Sequence, residues 1–144
     1  MTRMYLIINT IEDDQFSLAL ADAKGSLMKS ITKKGKYIQA EKILPTIDKL
    51  VRPKYKYTQL KGIIVSRGPG GFTSIRIGVI TANTFSYALN IPVVGLKDNQ
   101  YKNLDDLAKK GIDLVKKSKN SKMTTPFYGR EPNITKPKKK LYKI

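Results

Sequence analysis

The chain contains no cysteine and no histidine. The first absence excludes disulfides, thiolate metal sites and cysteine nucleophiles, and it accords with a reducing compartment. The second removes the commonest general base and the commonest metal ligand together. Any catalysis would have to rest on carboxylates, lysines or hydroxyls, and only 11 Asp and Glu are present. Long apolar runs are lacking too. No segment approaches the roughly 18 residues of a membrane span. The run Met4–Ile8, behind Arg3, is too short for the core of a signal peptide. The expectation is a cytoplasmic protein without a membrane partner.

What the chain has in excess is positive charge. It carries 28 Lys and Arg, for a net +17 over 144 residues. Residues 1–96 hold 14 basic and 6 acidic side chains (+8), whereas residues 97–144 hold 14 and 5 (+9) in half the length. A field of that size attracts polyanions such as RNA. Most of the basic residues are lysine, however, and lysine in bulk usually makes a solvated surface. The length suits one domain with a core of its own.

The apolar pattern changes period along the chain. "MYLIINT" reads as a buried strand. "FSLALAD" alternates at Phe16, Leu18 and Leu20, the period of a half-buried strand. Lys24-Gly25-Ser26 supplies a turn, and "LMKSIT" returns as a third strand. In "YIQAEKILPTIDKLV" apolar residues recur at steps of three and four, which predicts an amphipathic helix with Pro45 inside and Arg52-Pro53 at its end. "LKGIIVS" follows as a strand. Thr73 to Leu89 is predicted as a helix apolar on two sides, one of Ile75, Val79, Ala82 and Leu89, the other of Ile77, Ile80, Thr84 and Ala88. Such a helix is sandwiched. "IPVVGL" is the last strand. The result is β-β-β-α-β-α-β, a mixed sheet flanked by helices, over residues 1–96. Residues 97–144 form a short basic segment: one polar helix over 104–117 broken near Gly111, a linker, and a basic tail.

"SRGPGGFTSIRIG", Ser66 to Gly78, is the most informative stretch. Gly68, Gly70 and Gly71 allow close approach to the backbone, and the turn feeds a helix N-terminus, where free N–H groups and the dipole favour an anion. Thr73 is placed to cap the helix with its hydroxyl. Arg76 in the first turn opposes the dipole, which an acidic partner or a phosphate would explain. The spacing is neither a Walker loop nor G-x-G-x-x-G, and on spacing alone a tight structural turn is the favoured reading. Of the acidic residues, Glu12, Asp13 and Asp14 read as a solvated turn rather than a metal cradle. Asp105 and Asp106 read as the start of a surface helix. Neither cluster has a base or nucleophile beside it in sequence.

"RGPGGFTSIRIG" with the following "VITANTFSYALNIPVVGL" resembles the G-P-G-S-F-T-G-L-R-I-G signature of the TsaB (YeaZ) family. The resemblance runs from about Met4 to Leu96. It includes "LIINTIEDDQFSLALAD" and "AEKILPTIDKLV", and "PFYGREP" is similar to the family's terminal P-x-Y-x-R at Pro126, Tyr128 and Arg130. It implies one lobe of the actin-like/Hsp70-like (ASKHA, ribonuclease H-like) fold. It also implies a non-catalytic subunit in the formation of threonylcarbamoyl-adenosine beside the tRNA anticodon. Its partner would be the catalytic paralogue TsaD, with the ATPase TsaE joining the larger complex, and the isolated chain would form a homodimer. The implied partner interface lies on the two helices, at Ile38, Glu41, Ile43, Ile47, Ile75, Val79, Ala82, Asn83 and Ser86. Phosphate or nucleotide contact would fall to Gly68, Gly70, Gly71, Phe72, Thr73, Arg76 and Thr10. Asn9 stands where the family has aspartate, and Gln39-Ala40-Glu41 replaces its His-Ser-Glu. Gly71 and Ser74 replace the serine and glycine of the motif. Residues 97–122 take the place of the family's second lobe, so ATP or ADP is expected only at the interface of a larger complex. No metal is implied. A basic tRNA-binding module, and less so a stand-alone phosphotransferase using the glycine turn, are the competing readings.

Overall fold

The computed structural model describes residues 2–118 and 122–129. Arg130 and the lysine-rich tail beyond it lie outside the described residues.

Three strands form a meander: β1 (Met4–Asn9), β2 (Gln15–Ala21) and β3 (Leu27–Lys34). They are followed by α1 (Gln39–Val51), β4 (Leu60–Gly68), α2 (Phe72–Leu89) and β5 (Val93–Lys97), and then by α3 (Leu104–Lys117). The five strands make one sheet in the order β3-β2-β1-β4-β5. The meander pairs antiparallel, while β1–β4 and β4–β5 are parallel. The predicted mixed sheet is therefore present, element for element.

Side-chain alternation divides the core in two. Met4, Leu6, Ile8, Phe16, Leu18, Leu20, Ile63 and Val65 face α1 and α2, where they meet Ile43, Ile47, Leu50, Ile75, Val79 and Ala82. Tyr5, Ile7, Ala19, Ile64, Val94 and Leu96 point the other way and meet Leu107, Ala108, Ile112 and Val115 of α3. A strand covered on both faces reads as an unbroken apolar run, which is why "MYLII" does not alternate.

The region after Leu96 departs from the expected short, broken, polar helix. α3 runs unbroken through Gly111, and its apolar stripe roofs the second face of the sheet. Gly111 does not interrupt the helix, because its bare α-carbon is what lets α3 lie against Ile64. Asn103 caps α3 by accepting the Asp106 N–H at 2.8 Å. Asp105 and Asp106 fill its first turn, as the sequence suggests.

Beyond the helix, residues 122–128 run back over the turn between β4 and α2. The Phe127 N–H donates to the Arg67 carbonyl at 2.8 Å, and Arg67 Nε donates to the Thr125 carbonyl at 2.7 Å. Asn83 closes a two-bond ring with the Thr124 backbone, donating and accepting at 3.0 Å each. Tyr128 stacks on Phe72, their ring centres 4.6 Å apart.

Candidate functional site

Gly68 ends β4 with φ +103, a left-handed conformation that suits glycine. A Cβ there would lie 2.6 Å from both Ile75 Cδ1 and the Phe127 carbonyl oxygen. The two glycines that follow are pressed against the link between β1 and β2. A Cβ on Gly70 would overlap the Ile11 carbonyl, and one on Gly71 would overlap the Asp13 carboxylate. The Gly71 N–H donates to the Ile11 carbonyl at 2.8 Å. These glycines approach the chain's own backbone and carboxylate rather than an open cradle.

Asp13 is the centre of the arrangement. Its Oδ1 accepts a hydrogen bond from the Ser74 hydroxyl at 2.9 Å, in the first turn of α2. A carboxylate is favoured there by the helix dipole and the free N–H groups. The link carrying it is clamped from the far side. Gln39 Nε2 donates to the Glu12 carbonyl at 2.7 Å, and the Tyr37 N–H to the Asp13 carbonyl at 3.0 Å. Thr10, wholly buried, donates from Oγ1 to the Ser74 carbonyl at 2.6 Å.

The geometry places the residues expected at a phosphate as follows. Thr10 has no exposed surface and its hydroxyl is bonded to Ser74. Thr73 does not cap α2: the helix starts one residue earlier, its N-cap is Gly71, and no side chain caps it from that position. The Cβ sides of Gly70 and Gly71 face Ile11 and Asp13, while Gly70 itself is exposed. Phe72, Thr73 and Arg76 remain on the surface. The guanidinium of Arg76 lies 5.4 Å from the centre of the Phe72 ring, within reach of a cation–π contact.

A second polar group sits at the C-terminal ends of β1 and β4, where open α/β sheets hold their ligands. Ser66, fully buried, and the Tyr101 hydroxyl are 2.6 Å apart. Burial pushes the Tyr101 phenol above its ordinary value, against the opposing effect of hydrogen bonds to Ser66 and Asn9. Nothing in the sequence pointed to Tyr101, which lies 35 positions from Ser66. Among the described residues no three His, Cys, Asp or Glu could together hold a metal. Among the described residues none of the hydroxyls of Thr10, Ser66 and Ser74 is bonded to a lysine, and Asp13 on Ser74 is the only carboxylate among their partners.

The expected partner interface is redistributed as well. Ile43, Ile47, Ile75, Val79, Ala82 and Ser86 are buried in the chain's own core, because they form the sheet-facing sides of α1 and α2. Asn83 is engaged by Thr124. Ile38 is half-buried and Glu41 exposed. The large apolar side chains these helices leave to solvent are other residues: Leu44 at 57% exposure, Phe72 and Ile80 at 58% each and Tyr87 at 90%.

Fold and turn together define an actin-like α/β lobe of the ASKHA class. Within that class, the chain resembles the TsaB (YeaZ) proteins. It is 33% identical over 91 residues to the tRNA threonylcarbamoyladenosine biosynthesis protein TsaB of Buchnera aphidicola subsp. Acyrthosiphon pisum, covering 62% of this chain and 41% of that one. With TsaB of the Schizaphis graminum subspecies it shares 31% over 135 residues, covering 90% and 60%. The structure of YeaZ from Pseudomonas aeruginosa superposes with a TM-score of 0.61 at 25% identity, over 68% of this chain and 45% of that one. The sequence pattern of the family described as "TsaD: tRNA N6-adenosine threonylcarbamoyltransferase" matches residues 39–101. The chain thus spans between two fifths and three fifths of these two TsaB proteins. No helix among the described residues is long and apolar enough to cross a membrane.

Proposed function

We propose that this chain is a non-catalytic scaffold in tRNA threonylcarbamoyladenosine formation, docking the transferase TsaD through the solvent faces of α1 and α2. The observation that carries the reading is the exposure of Leu44, Ile80 and Tyr87 on helices whose opposite sides already fill the core. Large apolar side chains grouped on two neighbouring helices suit burial by another polypeptide. In the isolated chain the same faces would pair two copies. ATP or ADP is not assigned to this lobe alone, a reading supported by the Asp13 carboxylate at the start of α2, which would repel a phosphate there. Any nucleotide, and TsaE with it, would join at the level of the larger complex. The phosphotransferase reading has no support beyond the spacing of the glycines.

Co-expression with TsaD tests the proposal. Ile80→Glu and Leu44→Glu should abolish co-elution while leaving the thermal midpoint of the chain nearly unchanged, because both side chains are already in water. A modification assay with and without the chain should show dependence on it. Intact association of both variants would falsify the assigned face.

A further inference from the structure

We propose that the end of the sheet remote from the glycine turn is a contact surface for the phosphate backbone of RNA. Four stretches of chain converge there. Arg3 precedes β1, and Met4 pairs with Leu60, so Lys61 at the start of β4 stands close by. Tyr5 pairs with Ala21, which brings the turn holding Asp22 and Lys24 to the same end. The last turn of α3 reaches it too, where Lys116 Nζ donates to the Ala23 carbonyl at 2.8 Å. All four cations are exposed.

Their charge is only partly compensated, by the nearby Asp22. Asp22 is the one carboxylate in the two shallow clefts on either side of Arg3, and its Oδ1 is taken up by the N–H groups of Lys24 and Ser26. No ion pair joins Arg3, Lys24, Lys61 or Lys116 to a carboxylate among the described residues. Some cations elsewhere are paired, Lys110 with Asp106, Lys117 with Asp113 and Arg52 with Asp48. Others, such as Lys33, Lys36 and Lys49, have no ion pair among the described residues either. What sets this end apart is the convergence of four chain segments. Exposed cations that converge without an ion-paired carboxylate, beside clefts, suit a chain of phosphates. The choice of RNA among polyanions rests on the proposed role in tRNA modification, whereas the patch itself does not. The site also differs from the one the sequence suggested, the basic segment as a whole.

The test uses the full chain and an unmodified tRNA transcript, with binding followed by fluorescence anisotropy across a salt series. Two variants remove the same charge from different places. One combines Arg3→Gln, Lys24→Gln, Lys61→Gln and Lys116→Gln. The other combines Lys33→Gln, Lys36→Gln, Lys42→Gln and Lys49→Gln, around β3 and α1. The first should weaken binding about tenfold or more and lower the slope of log K against log salt by about 3, and the second should weaken it less than about threefold. Lys24→Gln alone, on an exposed turn, should lower the slope by about 0.7–0.9. Equal losses in the two quadruple variants would mean that bulk charge alone binds and would overturn the proposal. So would an unchanged first variant, or a wild type that binds anionic vesicles but no RNA. Because the chain is assayed alone, failure here leaves the docking of TsaD to its own test at Ile80.

Discussion

Asp13 and Ser74, 61 positions apart, meet carboxylate to hydroxyl at 2.9 Å in the first turn of α2. The contact places a negative charge at a helix N-terminus, where a stretch rich in glycine suggests room for a ligand's phosphate. The chain meets that electrostatic demand internally. Gly71 is part of the same arrangement, since any side chain there would displace the Asp13 carboxylate. The TsaB signature has serine at this position, so the glycine and the carboxylate form a matched pair in this chain.

That pairing predicts non-additivity. Asp13→Ala should cost about 1 kcal/mol, the range of a lost helix cap with its dipole interaction. Gly71→Ala should cost a similar amount by pushing the carboxylate away, and the double variant should cost little more than either change alone. A urea-denaturation cycle reads the coupling directly. Strictly additive losses would show that the two positions act independently.

Gly111 gives a prediction of opposite sign to the ordinary rule. Replacing glycine by alanine inside a helix normally stabilises by up to about 1 kcal/mol. Here the added methyl would run into the side chain of Ile64, in the layer between α3 and the sheet. Gly111→Ala should therefore destabilise by about 1–3 kcal/mol, the usual cost of overpacking. A stabilised variant would show that α3 sits further from the sheet than the contact with Ile64 indicates.

The same glycine shows what sequence reasoning can and cannot reach. The meander, the two helices and the parallel strands were legible because period two and period three-to-four patterns are local. Gly111 looked like a break because its reason, Ile64, is remote in sequence. The faces of α2 were both seen as apolar, but periodicity could not decide which one meets the sheet. Ile75, Val79 and Ala82 do, and Ile80 does not. At the candidate site, glycine spacing signalled close approach, without saying whether ligand or chain approaches. Nothing near Asp13 in sequence announces Ser74, so sequence alone makes Asp13 part of a solvated turn.

Tyr57 donates its hydroxyl to Asp48 Oδ1 at 2.9 Å, and Arg52 holds the same carboxylate. Burial, followed by the Asp48 contact, pushes the Tyr57 phenol up to about 12. A group whose folded value is raised contributes stability below its unfolded value, near 10, and loses it as pH rises toward 12. Asp48 runs the other way. Arg52, then Tyr57, lower its pKa, so its contribution is present above about pH 3.8 and fades only in stronger acid. Tyr57→Phe keeps the ring beside Phe85 but removes the hydroxyl. The stability difference between wild type and variant should be flat at neutral pH and shrink between pH 10 and 12. A difference independent of pH in that window would mean the phenol titrates as in the unfolded chain.

The return of residues 122–128 over α2 determines how much of that helix a partner can reach. Asn83 holds Thr124 with two bonds, Arg67 grips Thr125 and Phe127, and Tyr128 covers one face of Phe72. Each neutral hydrogen bond is worth about 1 kcal/mol, and the segment has few buried apolar side chains to add to them. Local opening should therefore cost far less than unfolding the lobe. Asn83→Ala removes the pair of bonds to Thr124 and should accelerate limited tryptic cleavage at Lys122 several-fold, with the remaining core staying resistant. Asn83 stands one helical turn from both Ile80 and Tyr87, so intact association through Ile80 and Leu44 would place the segment at the rim of the docking face. Cleavage at the wild-type rate would place the anchoring in Arg67 and Tyr128. Loss of partner association in the same variant would instead make the segment itself part of the docking surface.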